Sequence, residues 1–357
     1  MKIGLPKEIK NWENRVGLTP SGVKLLIKDG HTVKVQKKAG VGSGFSDSMY
    51  QEAGAIMVDT AAEVYERVDL IVKVKEPQPE EYRLIEPEQI VFTYFHFAAS
   101  KELTEAMVNS GSVSIAYETI TNKEGTLPLL VPMSQIAGRM SVIDGVRFML
   151  LPNGGRGILP GGIAGVAPAN IVVIGGGIVG TEAAKLAAGF DANVTILDIN
   201  PSRLLYLSEV LPANVTTLFS NEDNIAKVVK EADLLIGAVL LPGAQAPTLV
   251  NEEMVKSMKE GAVIVDVAID QGGCITTSEK TTHAKPTVTK HGVIHYGVTN
   301  MPGAVANTAT LALTQVTLPY VRKIATLGYK KFAEQDTGFA KGINIEKGII
   351  KLAELMS

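Results

Sequence analysis

The residues with the clearest chemistry stand in the segment ANIVVIGGGIVGTEAAKLAAGFDANVTILD, where Gly175, Gly177 and Gly180 are spaced as GxGxxG. Alone, that spacing is a weak signal, because glycine-rich turns are common. Here it follows a buried-strand pattern, opens an Ala-rich helical pattern and leads to a second strand ending in Asp198, all within one βαβ unit. In such a unit one glycine permits the tight turn, the next lets the backbone approach a pyrophosphate, and the third lets helix and strand pack closely. The diphosphate of a dinucleotide then meets the positive end of the helix. Asp198 can accept hydrogen bonds from ribose hydroxyls and would repel a 2′-phosphate, which favours NAD over NADP. Two alternatives stay open: Asp198 could simply cap the turn INPSR, and Arg203 could receive a phosphate or stack on adenine.

A second group carries acid, base and charge. In open α/β sheets ligands bind beyond the carboxyl ends of the strands. Arg15 lies in the loop after KIGLPKE, Lys75 ends DLIVKVK and His96 ends QIVFTYFH, so three strand ends present two cations and an imidazole. Later in the chain, AVIVDVAID places Asp270 at a comparable position, and if two domains face each other it looks across a cleft at His96. Each residue has a plainer alternative: solvated charge for Arg15 and Lys75, packing for His96. Convergence on one sheet edge is what favours chemistry. His31, His283, His291 and His295 lack that coincidence and have no metal-ligand spacing, so no metal is expected. No GxSxG elbow or Walker loop points to hydrolysis or phosphoryl transfer.

These residues need elements to position them. The first 128 residues alternate short β-like runs with amphipathic stretches, from KIGLPKE through TPSGVKLLIKDG and TVKVQKKAG to SVSIAYE. That rhythm predicts a parallel sheet with helices on both faces, and no glycine fingerprint follows its first strand. A helix beginning SQIAGRM, near Ser134 to Leu150, and the Gly/Pro-rich loop PNGGRGILPGGIAGVAPA mark a boundary. A second series of strands follows: ANIVVIG, ANVTILD, DLLIGAV, AVIVDVA and VIHYGV. After Asn307 the chain reads as a long helix, TATLALTQVTLPYVRKIATLG, and a shorter one, EKGIIKLAELM, both returning to the first domain. We therefore expect an α/β fold of two doubly wound, Rossmann-like domains with a cleft between them, the first discontinuous. Residues 1–128 with 307–357 form the substrate domain and residues 129–306 the NAD-binding domain.

Composition sets the outer limits. A chain of 357 residues exceeds what one hydrophobic core usually fills. Lys+Arg 34 against Asp+Glu 37 gives a net charge of −3, which offers no reason to expect nucleic acid or an anionic membrane as partner. The single cysteine, Cys274, can form neither an internal disulfide nor a thiolate cage, as suits a protein of the reducing cytoplasm. MKIGLPKEIK lacks the basic-then-apolar pattern of a signal peptide. Residues 157–181 carry no charge over nearly a bilayer's length, but Pro160, Pro168 and many glycines suit a loop and buried strand rather than a membrane helix.

Taken together, KEIKNWENRVGLTP, VKVKEP, TYFHFAAS, AYET, MSQIAGRM, GGGIVGTEAAK, VDVAIDQGG and VTNMPGAVANT closely resemble the L-alanine dehydrogenase family over essentially the whole chain. The resemblance implies reversible conversion of L-alanine, NAD and water to pyruvate, ammonia and NADH by a homohexamer. It implies that Arg15 and Lys75 clamp the substrate carboxylate and that His96 and Asp270 are the acid/base residues, without saying which serves which proton step. Asn300 and Met301, with Met133 and Leu130, resemble the wall of a small substrate pocket. Ser134, Asp198, Arg203, Ser220, Leu240 and Val298 match positions that touch NAD, and Met301 is counted with them. The next resemblance is to the nucleotide-binding subunit of proton-translocating transhydrogenase, a binding module that passes hydride to a partner protein. A saccharopine-dehydrogenase-like enzyme is more distant. The joint presence of Arg15, Lys75, His96 and Asp270 favours the amino-acid dehydrogenase.

Overall fold

The computed structural model describes residues 1–239 and 246–352. Short runs rich in Val, Ile and Leu become strands, and the amphipathic stretches between them become helices on the sheet faces. In the first half these strands are β1 (Lys2–Leu5), β2 (Thr32–Gln36), β3 (Ile56–Val58), β4 (Leu70–Val72), β5 (Ile90–Thr93) and β6 (Val113–Ala116). In the second they are β7 (Asn170–Ile174), β8 (Asn193–Asp198), β9 (Val215–Phe219), β10 (Leu234–Gly237), β11 (Val263–Asp266), β12 (Thr287–Lys290) and β13 (Val293–Tyr296). β14 (Ile343–Glu346) and β15 (Ile349–Ile350) close the described chain.

The chain divides into two compact units, Met1–Met133 with Val305–Ser357, and Ser134–Ala304. The helix Val131–Met149 carries the chain from one unit into the other. The first unit's sheet runs β15-β14-β6-β5-β4-β1-β2-β3, and the second unit's runs β12-β13-β11-β10-β7-β8-β9. Stripped of their antiparallel edges, both have the doubly wound order in which winding reverses beside the first strand, at β1/β4 and at β7/β10. Strands such as β5, β10 and β11 are buried throughout, which explains why they read as continuous apolar runs rather than alternating ones. Each buried Val, Ile or Leu contributes about 1.5–3 kcal/mol of hydrophobic stabilisation.

The parallel sheets expected from the alternation are therefore parallel-dominated with mixed edges: β12 pairs antiparallel with β13, and β14 antiparallel with β6. In the tail EKGIIKLAELM, expected as a helix, the described residues 346–352 instead contribute a hairpin, and residues 353–356 lie outside the described residues. Lys347 and Gly348 adopt φ of 50° and 81°, the consecutive left-handed pair that a two-residue hairpin turn demands, and Ile349 returns beside Glu346. The charge-free stretch at 157–181 resolves into loop, β7 and the start of the helix Ile178–Gly189. Among the described residues no helix is long and apolar enough to cross a membrane.

Candidate active site

In the first unit, β5, β4 and β1 are adjacent and parallel, so the segments leaving their carboxyl ends share one edge of the sheet at the β1/β4 switch point. Lys75 and His96 follow β4 and β5 within a few residues, and Arg15 stands in the loop between β1 and the helix Pro20–Lys28. The structure thus brings these three together.

Arg15 is only 2% exposed, so it is not a solvated surface charge. Its guanidinium forks onto Glu13, with Nε to Oε1 at 2.7 Å and Nη2 to Oε2 at 2.5 Å, while Nη1 reaches the Met133 sulfur at 3.1 Å. Burial works against the charged guanidinium, but Glu13 overrides it and holds its pKa above the ordinary value. The loop itself is pinned: the Val16 amide donates to Thr310 Oγ1 at 3.1 Å, and Ser43 Oγ donates to the Asn14 carbonyl at 2.8 Å. Lys75 is half-buried. Desolvation first, and then the neighbouring Arg15 charge, lower its pKa below the usual lysine range.

The backbone of Lys75 is held from β1's loop. Glu8 Oε1 accepts from the Val74 amide at 2.6 Å and from the Lys75 amide at 3.2 Å, while Glu8 Oε2 accepts from Lys73 Nζ at 2.9 Å. Lys73 also donates to Glu81 at 2.9 Å. Burial raises the Glu8 pKa, with the Lys73 ammonium opposing it. Such a buried ionic cluster adds little net stability as a whole, but removing one partner leaves an uncompensated charge worth about 3–5 kcal/mol.

His96 is exposed and sits in the left-handed region at φ 52° and ψ 44°, a conformation that costs a non-glycine residue about 1–3 kcal/mol and marks functional sites. Its ring stacks on Tyr94, with centroids 5.8 Å apart and planes 11° from parallel. The Tyr94 hydroxyl donates to the Leu129 carbonyl at 2.6 Å. That bond and the Arg15–Met133 contact tie the short segment containing half-buried Leu130 to the same sheet edge.

In the second unit the glycine motif divides its labour in space. Gly175 has φ 104°, and a Cβ there would meet the Ala238 carbonyl oxygen at 2.7 Å. A Cβ on Gly180 would lie 1.8 Å from the Gly175 carbonyl oxygen, so helix and strand approach too closely for any side chain. A Cβ on Gly177 would meet nothing within 4 Å. Gly177 begins the helix Ile178–Gly189, whose first turn has no side-chain cap and no acidic residue. Uncapped helix amides beside open space are what a pyrophosphate requires, so the residues present fit a dinucleotide.

Asp198 does two jobs in the structure. Its Oδ2 accepts from the Gly176 amide at 2.8 Å and its Oδ1 from the Asn200 amide at 2.8 Å, so it caps the following turn and also secures the glycine turn. An ionised carboxylate still has lone pairs for ribose hydroxyls. Arg203 lies against the same turn, with Nε to the Gly176 carbonyl at 2.6 Å and Nη2 to Thr181 Oγ1 at 2.8 Å, and its guanidinium is 4.8 Å from the Tyr206 ring centroid. Ser220 follows β9 and donates its amide to the Asp198 carbonyl at 3.0 Å. Ser134 lies in the first turns of the helix Val131–Met149. Val298 and Met301 are buried, and half-buried Asn300 is left-handed at φ 60°. Leu240 lies outside the described residues.

Asp270 is exposed in the 3-10 turn Val267–Gln271 after β11. This turn hangs on buried Asp266, which accepts from the amides of Ala268 and Cys274 at 3.1 Å and of Ile275 at 3.2 Å. Burial raises the Asp266 pKa. Asp270 belongs to the second unit and His96 to the first.

Sequence reasoning missed Glu8, Glu13, Glu118 and Asp266. All four are carboxylates that grip backbone amides beside the residues singled out for chemistry. Glu118 stands in AYET, a segment that carried the family resemblance without any role being given to its charge.

Sequence profiles described as Alanine dehydrogenase/PNT match both parts of the chain, the N-terminal domain over residues 4–137 and the C-terminal domain over residues 141–352. The alanine dehydrogenase of Methanococcus maripaludis is 54% identical over 349 residues, covering 98% of this chain and 94% of that protein. A solved L-alanine dehydrogenase superposes with a TM-score of 0.97 at 52% identity, covering 100% of this chain and 98% of its own. A transhydrogenase structure from Sinorhizobium meliloti superposes with a TM-score of 0.84 at 25% identity, covering 99% of both chains. With profile matches over nearly its whole length and relatives more than half identical to it, the chain belongs to the alanine dehydrogenase/PNT family.

Proposed function

We propose that the protein is an L-alanine dehydrogenase, catalysing the reversible NAD-dependent oxidative deamination of L-alanine to pyruvate and ammonia. The observation that carries this reading is the grouping of Arg15, Lys75 and His96 at the switch point of a sheet without a dinucleotide turn, in a chain whose other sheet has one. A module that only bound and passed on a dinucleotide would need none of the three.

Bound NAD would supply the redox chemistry, accepting the Cα hydrogen of alanine with its electron pair. Arg15 and Lys75 hold the substrate carboxylate, with the Arg15 guanidinium plane fixed by the Nε and Nη2 bonds to Glu13 and its Nη edge turned to the substrate. Fixing the carboxylate fixes Cα, which removes much of the entropy of alignment. On the family resemblance, Met133, Leu130 and Asn300 are the residues that wall the substrate side chain. His96 takes the proton that the alanine ammonium must lose before oxidation and releases it to solvent; as neutral imidazole it then takes the proton of the water that adds to the iminium carbon. Asp270 orients that water or shares its proton. Protonated His96 returns its proton to the adduct nitrogen, the C–N bond breaks to expel ammonia, and the hydroxyl gives up its proton to the imidazole to leave pyruvate. On the family resemblance we also infer a homohexamer working in the cytoplasm.

Following NADH formation with NAD and a panel of L-amino acids tests the reading. Alanine should be oxidised best, and faster toward alkaline pH because free amine is the reactive form. Absence of NADH formation with every amino acid would overturn it in favour of a dinucleotide-binding module.

A further inference from the structure

β6 lies parallel to β5, with Ala116 opposite Thr93, so the 3-10 turn Tyr117–Thr119 emerges beside the segment leading to His96. From that turn the half-buried Glu118 reaches across the strand ends. Its Oε1 accepts from the Phe95 amide at 3.0 Å and from the His96 amide at 2.5 Å, and its Oε2 lies 3.3 Å from the Phe95 amide. Two successive backbone donors therefore converge on one carboxylate at the residue where the chain turns left-handed. A residue that takes this conformation without being glycine persists only when its surroundings over-determine it. Around His96 those surroundings include the carboxylate, the Tyr94 ring, and the 3-10 turn Phe97–Ala99 with its Ala99 amide on the His96 carbonyl at 2.9 Å. Of these, Glu118 is the one that takes up the His96 amide. Charge-assisted bonds to an ionised acceptor are roughly twice as strong as neutral ones.

We propose that Glu118 is a positioning residue for His96, clamping the Phe95 and His96 amides so that the imidazole is presented in one orientation for proton transfer. The proposal rests on the reading of His96 as the acid/base group of alanine oxidation. Glu118 touches no reacting atom and acts through His96. The same design recurs along the edge, where Glu8 grips the amides before and at Lys75, and Glu13 grips both the amide and the guanidinium of Arg15.

The test combines hydrogen exchange with a double-mutant cycle on the full-length protein, using Glu118→Gln, which keeps the shape, and Glu118→Ala. Exchange of amides in residues 94–97 should quicken at least about tenfold in both variants while β7 and β10 keep their protection. Turnover of alanine should fall by about 10- to 100-fold in Glu118→Ala, the scale expected of a misplaced catalytic group, with pyruvate KM and NADH affinity within about twofold of wild type. In a His96→Ala background, adding Glu118→Ala should cost no more than about twofold further, because the residues act as a unit. Losses that multiply across the cycle would overturn the proposal, as would unchanged exchange at 94–97 or equal acceleration throughout the chain. If the wild-type protein oxidises no alanine, the functional reading fails, and the exchange arm by itself still decides whether Glu118 holds the His96 backbone.

Discussion

The two sheets wind in the same order yet build their ligand sites from different materials. After β7 the chain turns within Gly175, Gly176 and Gly177 straight into a helix, so the site is made of backbone amides and empty space where side chains would stand. After β1 the chain instead spends residues 6–19 on a loop before its helix, and that loop buries Glu8, Glu13 and Arg15. A diphosphate is large and carries its charge on several oxygens, so a helix end and a bare turn suffice for it. A substrate the size of alanine offers only a carboxylate, an amine and a methyl group, and side chains must be fixed closely to hold it. The cost is several buried carboxylates, each of which needs partners. On the proposed function, one scaffold serves two ligands through a different connection between its first strand and first helix.

The backbone site is most vulnerable at its glycines. Gly180→Ala forces a Cβ to 1.8 Å from the Gly175 carbonyl oxygen, so the turn must open. We expect NADH affinity to fall by more than about 100-fold and stability by about 1–3 kcal/mol or more, the usual range for overpacking, read as a lowered Tm. Gly177→Ala sharpens the contrast, because its Cβ meets nothing. Tm should stay within about 2 °C of wild type while NADH binding weakens about tenfold, since the added methyl stands where backbone and pyrophosphate approach. Equal, unchanged NADH affinity in both variants would mean that the backbone site is misplaced.

A smaller effect separates the side-chain site. Burial and the Arg15 charge lower the Lys75 pKa below 10.5. Between the lowered value and 10.5 the unfolded chain holds a proton that the folded one does not, so this group's contribution to stability improves as pH rises through that window. The carboxylate binding proposed for Lys75 runs the other way, because it needs the ammonium. Pyruvate KM should therefore rise a few-fold as pH climbs through the lowered Lys75 value, and NADH affinity should not follow it. In Lys75→Arg, whose charge persists, the rise should vanish. A pH profile shared by pyruvate KM and NADH affinity would assign the titration to something other than Lys75.

What the sequence showed was local. The glycine spacing, the apolar runs and the strand-terminal placing of Lys75 and His96 are each written within a few consecutive residues, and the structure places them accordingly. The carboxylates were not legible, because their partners are distant in the chain: Glu118 meets residues 22 and 23 positions away, and Glu8 meets Lys73 across 65. A glutamate in a polar loop looks solvated until the tertiary fold buries it. Arg15 kept its surface-charge alternative for the same reason, since the loop that buries it is pinned by Ser43 and Thr310. In the tail, helical periodicity in EKGIIKLAELM competed with the Lys347–Gly348 turn, and among the described residues pairing with β6 decided for the hairpin at 343–350.

The most direct test of the account is to compare L-alanine with L-alaninamide as substrates of the wild-type protein in the presence of NAD. The two share the Cα hydrogen, the methyl group and the amine, and differ only in the carboxylate assigned to Arg15 and Lys75. Losing one side of a buried charge-assisted pair typically costs about 2–5 kcal/mol, so kcat/KM for the amide should be lower by at least about 100-fold. Comparable kcat/KM for both compounds would contradict the account, because two cations held at that sheet edge would then have no part in holding the substrate.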